Sequence, residues 1–443
     1  MHDAQASGVA GASEVAVPRS QILTETIVAR AAIGLIALHV ADDNFLQPQP
    51  GTSAYDHLVS GLVPLAVLVL AAWAYPLPRA GFRAVIAVTL GLFGVVTGIE
   101  AVYYTTKTGP SGDDFTGLLA IPAGLVLLVL GVVTLWRSRR TDDGRLWRYL
   151  RRSLLVVAGI VAAYFIIIPL SLAYVVTHTA RGFVPAADLG AAYEEVSFKT
   201  SDGLTLEGWY IPSKNRAAVI AFPGRAGSQR PARMLARNGY GVLLFDRRGE
   251  GESDGDPNSF GWKGERDIHA AVAYLQQRPD VDPERIGGIG LSVGGEMMID
   301  AAAAASDGLN AVVSEGAGIR SIRESLAVPE TRMRIEGSLV HAVVTPAVAL
   351  FSNGMPPPSL EDLAPEISPT PVFLIYAVPG QGGEAELTET FYDAAREPKA
   401  IWRVPGAGHT GGIEADPAEY ERRVIGFFDR ALLRNDPTET TTP

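Results

Sequence analysis

A serine in Gly290-Leu291-Ser292-Val293-Gly294 and a histidine in Pro405-Gly406-Ala407-Gly408-His409-Thr410-Gly411-Gly412 are the residues whose types and spacing could do chemistry together. A serine hydroxyl is a poor nucleophile until a neighbouring base takes its proton, and the pair serves acyl transfer. Gly-x-Ser-x-Gly occurs by chance in many chains, so its setting decides. Here the apolar run Ile286–Leu291 leads straight into it and an Ala-rich helix from Glu296 to Ala305 follows. A strand-to-helix turn of that kind lifts the hydroxyl to the edge of a sheet, beside a positive helix N-terminus. The chain has seven histidines, and His409 stands in a loop between Lys399–Val404, which reads as the last strand, and an amphipathic helix from Pro417 to Leu433.

The segments that must position these groups alternate between strand and helix patterns. Tyr193–Thr200 and Leu204–Tyr210 flank a Ser-Asp-Gly turn and predict a hairpin. Ala217–Phe222 is an apolar run ending in Pro223-Gly224. A helical segment around Pro231 to Asn238 follows, and then a second run, Gly241–Phe245, ends in Asp246-Arg247-Arg248-Gly249. Strands apolar throughout, alternating with helices, predict a mainly parallel sheet covered on both faces.

Three motifs together resemble the α/β-hydrolase superfamily over roughly residues 190 to 433: Phe222-Pro223-Gly224-Arg225, Asp246-Arg247-Arg248-Gly249-Glu250-Gly251-Glu252-Ser253, and the turn at Ser292. The resemblance implies an eight-stranded sheet, a Ser-acid-His triad in that chain order, and an oxyanion hole from two main-chain amides, here those of Arg225 and Val293. His409 sits where the family places its base. Many members carry His-Gly where this chain has Pro223-Gly224, which leaves the substrate class open. The acid is open too. After the seventh strand, Pro371–Ala377, no aspartate follows, and Glu384 is the first carboxylate. Glu386 is close behind, although it reads as the opening of a helix through Tyr392, where it would complement the helix dipole. Glu315 ends the sixth strand, a position from which some members take the acid, and it could equally be a buried brace for the nucleophile loop. Asp246, Arg248, Ser253 and Asp267 read as residues that shape the turn beside the site, and the Arg225 side chain as facing solvent or a substrate anion.

The absence of cysteine excludes disulfides, thiolate catalysis and Cys-based zinc sites. The sequence contains no Gly-rich phosphate loop, dinucleotide fingerprint, His-Glu-x-x-His or internal repeat, so no cofactor or metal is expected. Residues 1–177 carry a net charge of +1 and the remainder −12. An acidic catalytic half without a basic stripe argues against nucleic acid.

The first 177 residues concern location. Five apolar windows are long enough to cross a bilayer: Gln21–Val40, Leu58–Leu77, Ala84–Tyr104, Leu118–Trp136 and Ser153–Thr177. Arg30 lies inside the first, which reads as a retained span. Arg137–Arg152 contains seven arginines against Asp142 and Asp143, and the turn after the second window holds Arg79 and Arg83, whereas the other connections hold Asp42, Asp43 and Asp56, or Lys107, Asp113 and Asp114. That bias places the N-terminus in the cytoplasm and the hydrolase domain outside. Expected domains are a flexible tail at 1–19, a five-helix membrane region at 20–177, an α/β-hydrolase domain at 178–434 and a flexible tail at 435–443, with Arg181–Ala192 as a small-residue linker. His39, Asp42, Asp43, His57 and Glu100 gather near one membrane face, in a spacing that matches no metal motif. The insertion from Ala317 to Thr370 is expected to form a cap, its apolar middle Leu339–Phe351 too short to span and broken at Pro346. These features predict a membrane-tethered serine hydrolase acting on a small acyl or lipid-like substrate among membrane lipids. The alternative is a membrane scaffold or transport component whose hydrolase-like domain binds without turnover.

Overall fold

A computed structural model describes residues 19–137, 145–304, 308–378, 380 and 383–433. The expected tails, 1–19 and 435–443, lie outside the described residues apart from Arg19, which opens the first helix, and so do residues 138–144 of the arginine-rich connection.

The second half is built on one eight-stranded sheet. Its strands are β1 (Glu194–Lys199), β2 (Thr205–Ile211), β3 (Ala218–Phe222), β4 (Gly241–Phe245), β5 (Ile286–Leu291), β6 (Ala311–Glu315), β7 (Val372–Val378) and β8 (Lys399–Pro405), in the order β1-β2-β4-β3-β5-β6-β7-β8. β2 runs antiparallel to β1 and β4, and every other pairing is parallel. The apolar runs have a simple cause: side chains alternate across the sheet, and both faces are covered. Ala218, Ile220, Phe222, Leu243 and Phe245 pack with Ile268, Val272, Met297 and Phe391, on helices Gly264–Gln276, Val293–Ala303 and Glu384–Ala394. Val219, Ala221, Val242 and Leu244 pack on the other face with Leu235, Tyr420, Val424 and Phe428, on helices Arg230–Arg237 and Pro417–Phe428.

The first half is helical. Ser20–Leu46, Ala80–Thr108, Asp114–Arg137 and Tyr149–Thr177 are long and apolar enough to cross a membrane, and Leu58–Ala74 is a shorter apolar helix. The first of these continues past Ala41 through a π-turn, Asp42–Leu46, where a loop was expected. Helices Ala80–Thr97 and Asp114–Arg137 touch backbone to backbone. A Cβ at Gly91 would stand 2.7 Å from Gly124 O, and one at Gly124 would stand 2.5 Å from Gly91 O. Small residues allow this close approach. The outward faces carry large apolar side chains such as Leu62, Trp73, Val129 and Leu135. Arg30 donates to Ala72 O from within the first helix. At the end remote from the hydrolase domain, Arg83 Nε lies 2.9 Å from Glu25 Oε1.

The hydrolase domain sits on the opposite end. Arg181, expected within a plain linker, is a clamp: its guanidinium donates to Gln49 Oε1, Ser253 O and Gly255 O, and its amide to Tyr104 Oη. Ser259 N donates to Val176 O at 2.8 Å, and Gly255 N to Pro50 O at 2.8 Å.

The cap departs from expectation. Thr331–Phe351 is one continuous 21-residue helix with Pro346 inside it, and it is itself long and apolar enough to cross a membrane. Pro346 removes one backbone donor, but the helix is held from the side. Val344, Ala347 and Val348 are buried with Ala173 and Trp262, and Phe351 meets Tyr174 edge-on at 5.4 Å. This packing outweighs the local breaking tendency of proline. The helix therefore leans on the last apolar helix of the first half.

Candidate active site

Ser292 occupies the turn between β5 and helix Val293–Ala303 with φ 53° and ψ −125°. A non-glycine residue in that region costs on the order of 1–3 kcal/mol and persists where its surroundings over-determine it. Here Ser292 N donates to Glu315 O at 2.8 Å, anchoring the turn to β6. Gly290 and Gly294 are required by crowding: a Cβ on Gly290 would collide with Gly294 O, and one on Gly294 would stand 3.0 Å from Phe222 Cβ.

His409 arrives on the loop after β8. Its Nε2 is 2.9 Å from Ser292 Oγ and its Nδ1 is 2.9 Å from Glu384 Oε2. Glu384 is buried at the first position of its helix, behind Gly383 in the left-handed conformation, and its Oε1 accepts from Ala377 N at 2.9 Å. One carboxylate oxygen is thus pinned to β7 and the other faces the imidazole. The Glu384 hydrogen bond raises the His409 pKa above its ordinary value, against partial burial, which lowers it.

The other two carboxylates stand elsewhere. Glu386 is exposed on the same helix, and Glu384, not Glu386, opens that helix. Glu315 is buried and accepts from Gly412 N at 2.8 Å and from Tyr420 Oη at 2.7 Å, which makes it a brace for the histidine loop. Burial raises its pKa, and those two hydrogen bonds oppose the shift.

The two residues expected to hold an oxyanion part company. Val293 lines the cleft at the first position of its helix, where an amide has no intrahelical acceptor. Arg225 N instead donates to Asp246 Oδ1 at 3.3 Å, and Arg225 is not among the cleft-lining residues. Its side chain faces neither solvent nor substrate. It is 4% exposed, with Nε and Nη2 at 3.0 and 2.6 Å from Asp246 Oδ2. Asp246 O accepts from Ser253 Oγ, and Asp267 accepts from the amide and guanidinium of Arg248, so this set builds the turn after β4.

The cleft encloses about 560 Å³ and is lined by Phe222, Pro223, Ser228, Arg247, Glu250, Leu291, Ser292, Val293, Gly294, His409, Thr410, Gly411 and Glu414. Ser228, Arg247, Glu250 and Glu414 escaped the sequence reading. A weak signal existed for two of them, since Arg247 and Glu250 are charged residues three apart in a turn beside the nucleophile. None of residues 317–370 is among the residues that line this cleft. His39, Asp42, Asp43, His57 and Glu100 lie toward the junction of the two halves. There His39 bonds Thr97 O and Thr116 Oγ1, and Asp42 accepts from Thr116.

Residues 184–344 match the model of the X-Pro dipeptidyl-peptidase (S15) family. The uncharacterized protein Rv2307c of Mycobacterium tuberculosis is 33% identical over 254 residues, covering 55% of this chain and 80% of its own. The chain belongs to the α/β-hydrolase superfamily. Polyketide transferase ATR5 of Stachybotrys chlorohalonatus is 29% identical over 290 residues, covering 54% of this hydrolase and 97% of its own chain. Among solved structures, the esterase Pf2001 of Pyrococcus furiosus is 25% identical, covering 57% of this hydrolase and 97% of its own chain, with a TM-score of 0.46.

Proposed function

We propose that this hydrolase is a membrane-anchored serine enzyme that cleaves an acyl ester or thioester through Ser292, His409 and Glu384. The observation that carries the reading is the unbroken chain of two 2.9 Å contacts from Ser292 Oγ through the imidazole to Glu384. Ser292 Oγ attacks the carbonyl carbon while His409 Nε2 takes its proton. Glu384 fixes the tautomer with the proton on Nδ1 and stabilises the imidazolium that forms. The Val293 amide, at a helix N-terminus, receives the developing oxyanion. The leaving group departs with the proton from Nε2, and water repeats the sequence to release the acid. Glu386 takes no part in this scheme, and Glu315 acts by holding the loop that carries the imidazole.

The resemblance to a polyketide transferase supports an acyl substrate, while the S15 family match supports a second reading as a peptidase. The two are separated by assaying the full chain in detergent on p-nitrophenyl esters, acyl thioesters and X-Pro amides. Ester or thioester turnover well above amide turnover is expected, and the reverse ranking would overturn the first reading. Apolar helices that expose large side chains support the anchor, and the arginine bias supports a cytoplasmic N-terminus with the hydrolase domain outside. A periplasm-type reporter fused after Pro443 should then be active, and one fused at Thr141 silent. The opposite pattern would place the domain in the cytoplasm.

A further inference from the structure

The turn after β4 holds two consecutive arginines with different circumstances. Arg248 is fully engaged, its guanidinium bonded to Asp202 and Asp267. Arg247 lines the cleft with Ser292 and His409 and is half engaged. Its Nη2 lies 2.5 Å from Glu250 Oε1, while its Nη1 is buried with no hydrogen-bond partner, and the side chain as a whole is 11% exposed. Gly261, with φ +69°, marks where Nη1 lies. A Cβ there would stand 3.2 Å from Nη1 and 2.5 Å from Val293 Cγ1, so the guanidinium lies beside the residue after the nucleophile. A buried charged donor without an acceptor is costly, and such groups in native proteins concentrate at functional sites.

We propose that Arg247 is a specificity residue that takes a neutral oxygen acceptor carried by the acyl part of the substrate. The preferred substrates are then oxo- or hydroxyacyl esters or thioesters rather than unsubstituted ones. Charge favours a carbonyl or hydroxyl over a second carboxylate, because Glu250 already pairs with the guanidinium and Glu414 also lines the cleft. Nη1 is closed off beside Gly261, so an acceptor that the guanidinium turns to meet supplies the missing partner, and an unsubstituted chain leaves it unmet. A site built to hydrogen-bond an oxygen discriminates strongly against analogues that lack it.

The inference rests on Ser292 as nucleophile, and the test separates the two claims. The full chain in detergent is assayed on length-matched unsubstituted, 3-oxo, 3-hydroxy and ω-carboxy acyl thioesters, with fluorophosphonate labelling in parallel. In the wild type, kcat/KM for an oxo or hydroxy substrate should exceed that for the unsubstituted one by about 10-fold or more. In Arg247→Met that ratio should fall toward one while labelling persists, and Arg247→Met with Glu250→Gln should behave alike, showing that an orphaned carboxylate is not the cause. A wild type that labels but shows no oxygen preference, or prefers the ω-carboxy substrate, would overturn this inference alone. A ratio unchanged in Arg247→Met would do the same. A wild type that neither labels nor hydrolyses would overturn the serine-hydrolase reading and this inference with it.

Discussion

Glu384 and Glu315 hold the His409 loop at two points by different means: Glu384 meets the imidazole itself at 2.9 Å, and Glu315 meets the amide of Gly412, three residues further on, at 2.8 Å. The first contact can set a tautomer, and the second can set only a backbone. Their amide variants should therefore differ in kind. Glu384→Gln should cost about 10⁴-fold in kcat with little change in fold, as in triads where an amide imposes the wrong tautomer. Glu315→Gln should keep most of its turnover and instead lose about 1–3 kcal/mol of stability through imperfectly satisfied buried partners. Steady-state kinetics and thermal unfolding of both proteins check this, and a dead Glu315→Gln beside an active Glu384→Gln would reverse the assignment.

The Glu384 contact also sets a pH dependence. It raises the His409 pKa above 6.5, and a general base must be neutral, so the rising limb of kcat/KM should lie above pH 6.5. The stability linkage has the same origin. A raised histidine pKa contributes stability that is full below the unfolded value and is lost as pH rises through the folded one. Glu384→Gln should move the limb to lower pH and remove that part of the stability profile. A wild-type limb at or below 6.5 would contradict the geometry.

The cap helix presents Ile335 and Leu339, 54% and 47% exposed, on a segment that packs against the apolar helix ending at Thr177. If that face meets lipid, Ile335→Asp with Leu339→Asp should depress hydrolysis of long-chain esters in bilayers while sparing short soluble esters. Equal losses on both would indicate damage to the cap instead.

Much of the sheet was legible because parallel strands covered on both faces read as apolar runs, as in Ala218–Phe222 and Gly241–Phe245. The turn at Ser292 was legible because its crowding demands glycine on either side. What resisted reading depended on partners distant in the chain. Glu315 ends one strand and Glu384 follows the next, and what distinguishes them is that Gly412 and Tyr420 occupy one and the imidazole the other. Arg225 reads as a free cation until Asp246, on the neighbouring strand end, is seen to bury it. Pro346 obeys a local rule that Ala173 and Trp262 override. Arg247 looks like its neighbour Arg248, and their difference lies in Asp267, which reaches one and not the other.

The central claim is that Ser292 is a nucleophile activated through His409. Full-length protein treated with a fluorophosphonate probe and mapped by mass spectrometry should carry one adduct, on Ser292, and the adduct should vanish in Ser292→Ala and form far more slowly in His409→Ala. An unlabelled wild type, or an adduct on another residue that survives Ser292→Ala, would contradict the account.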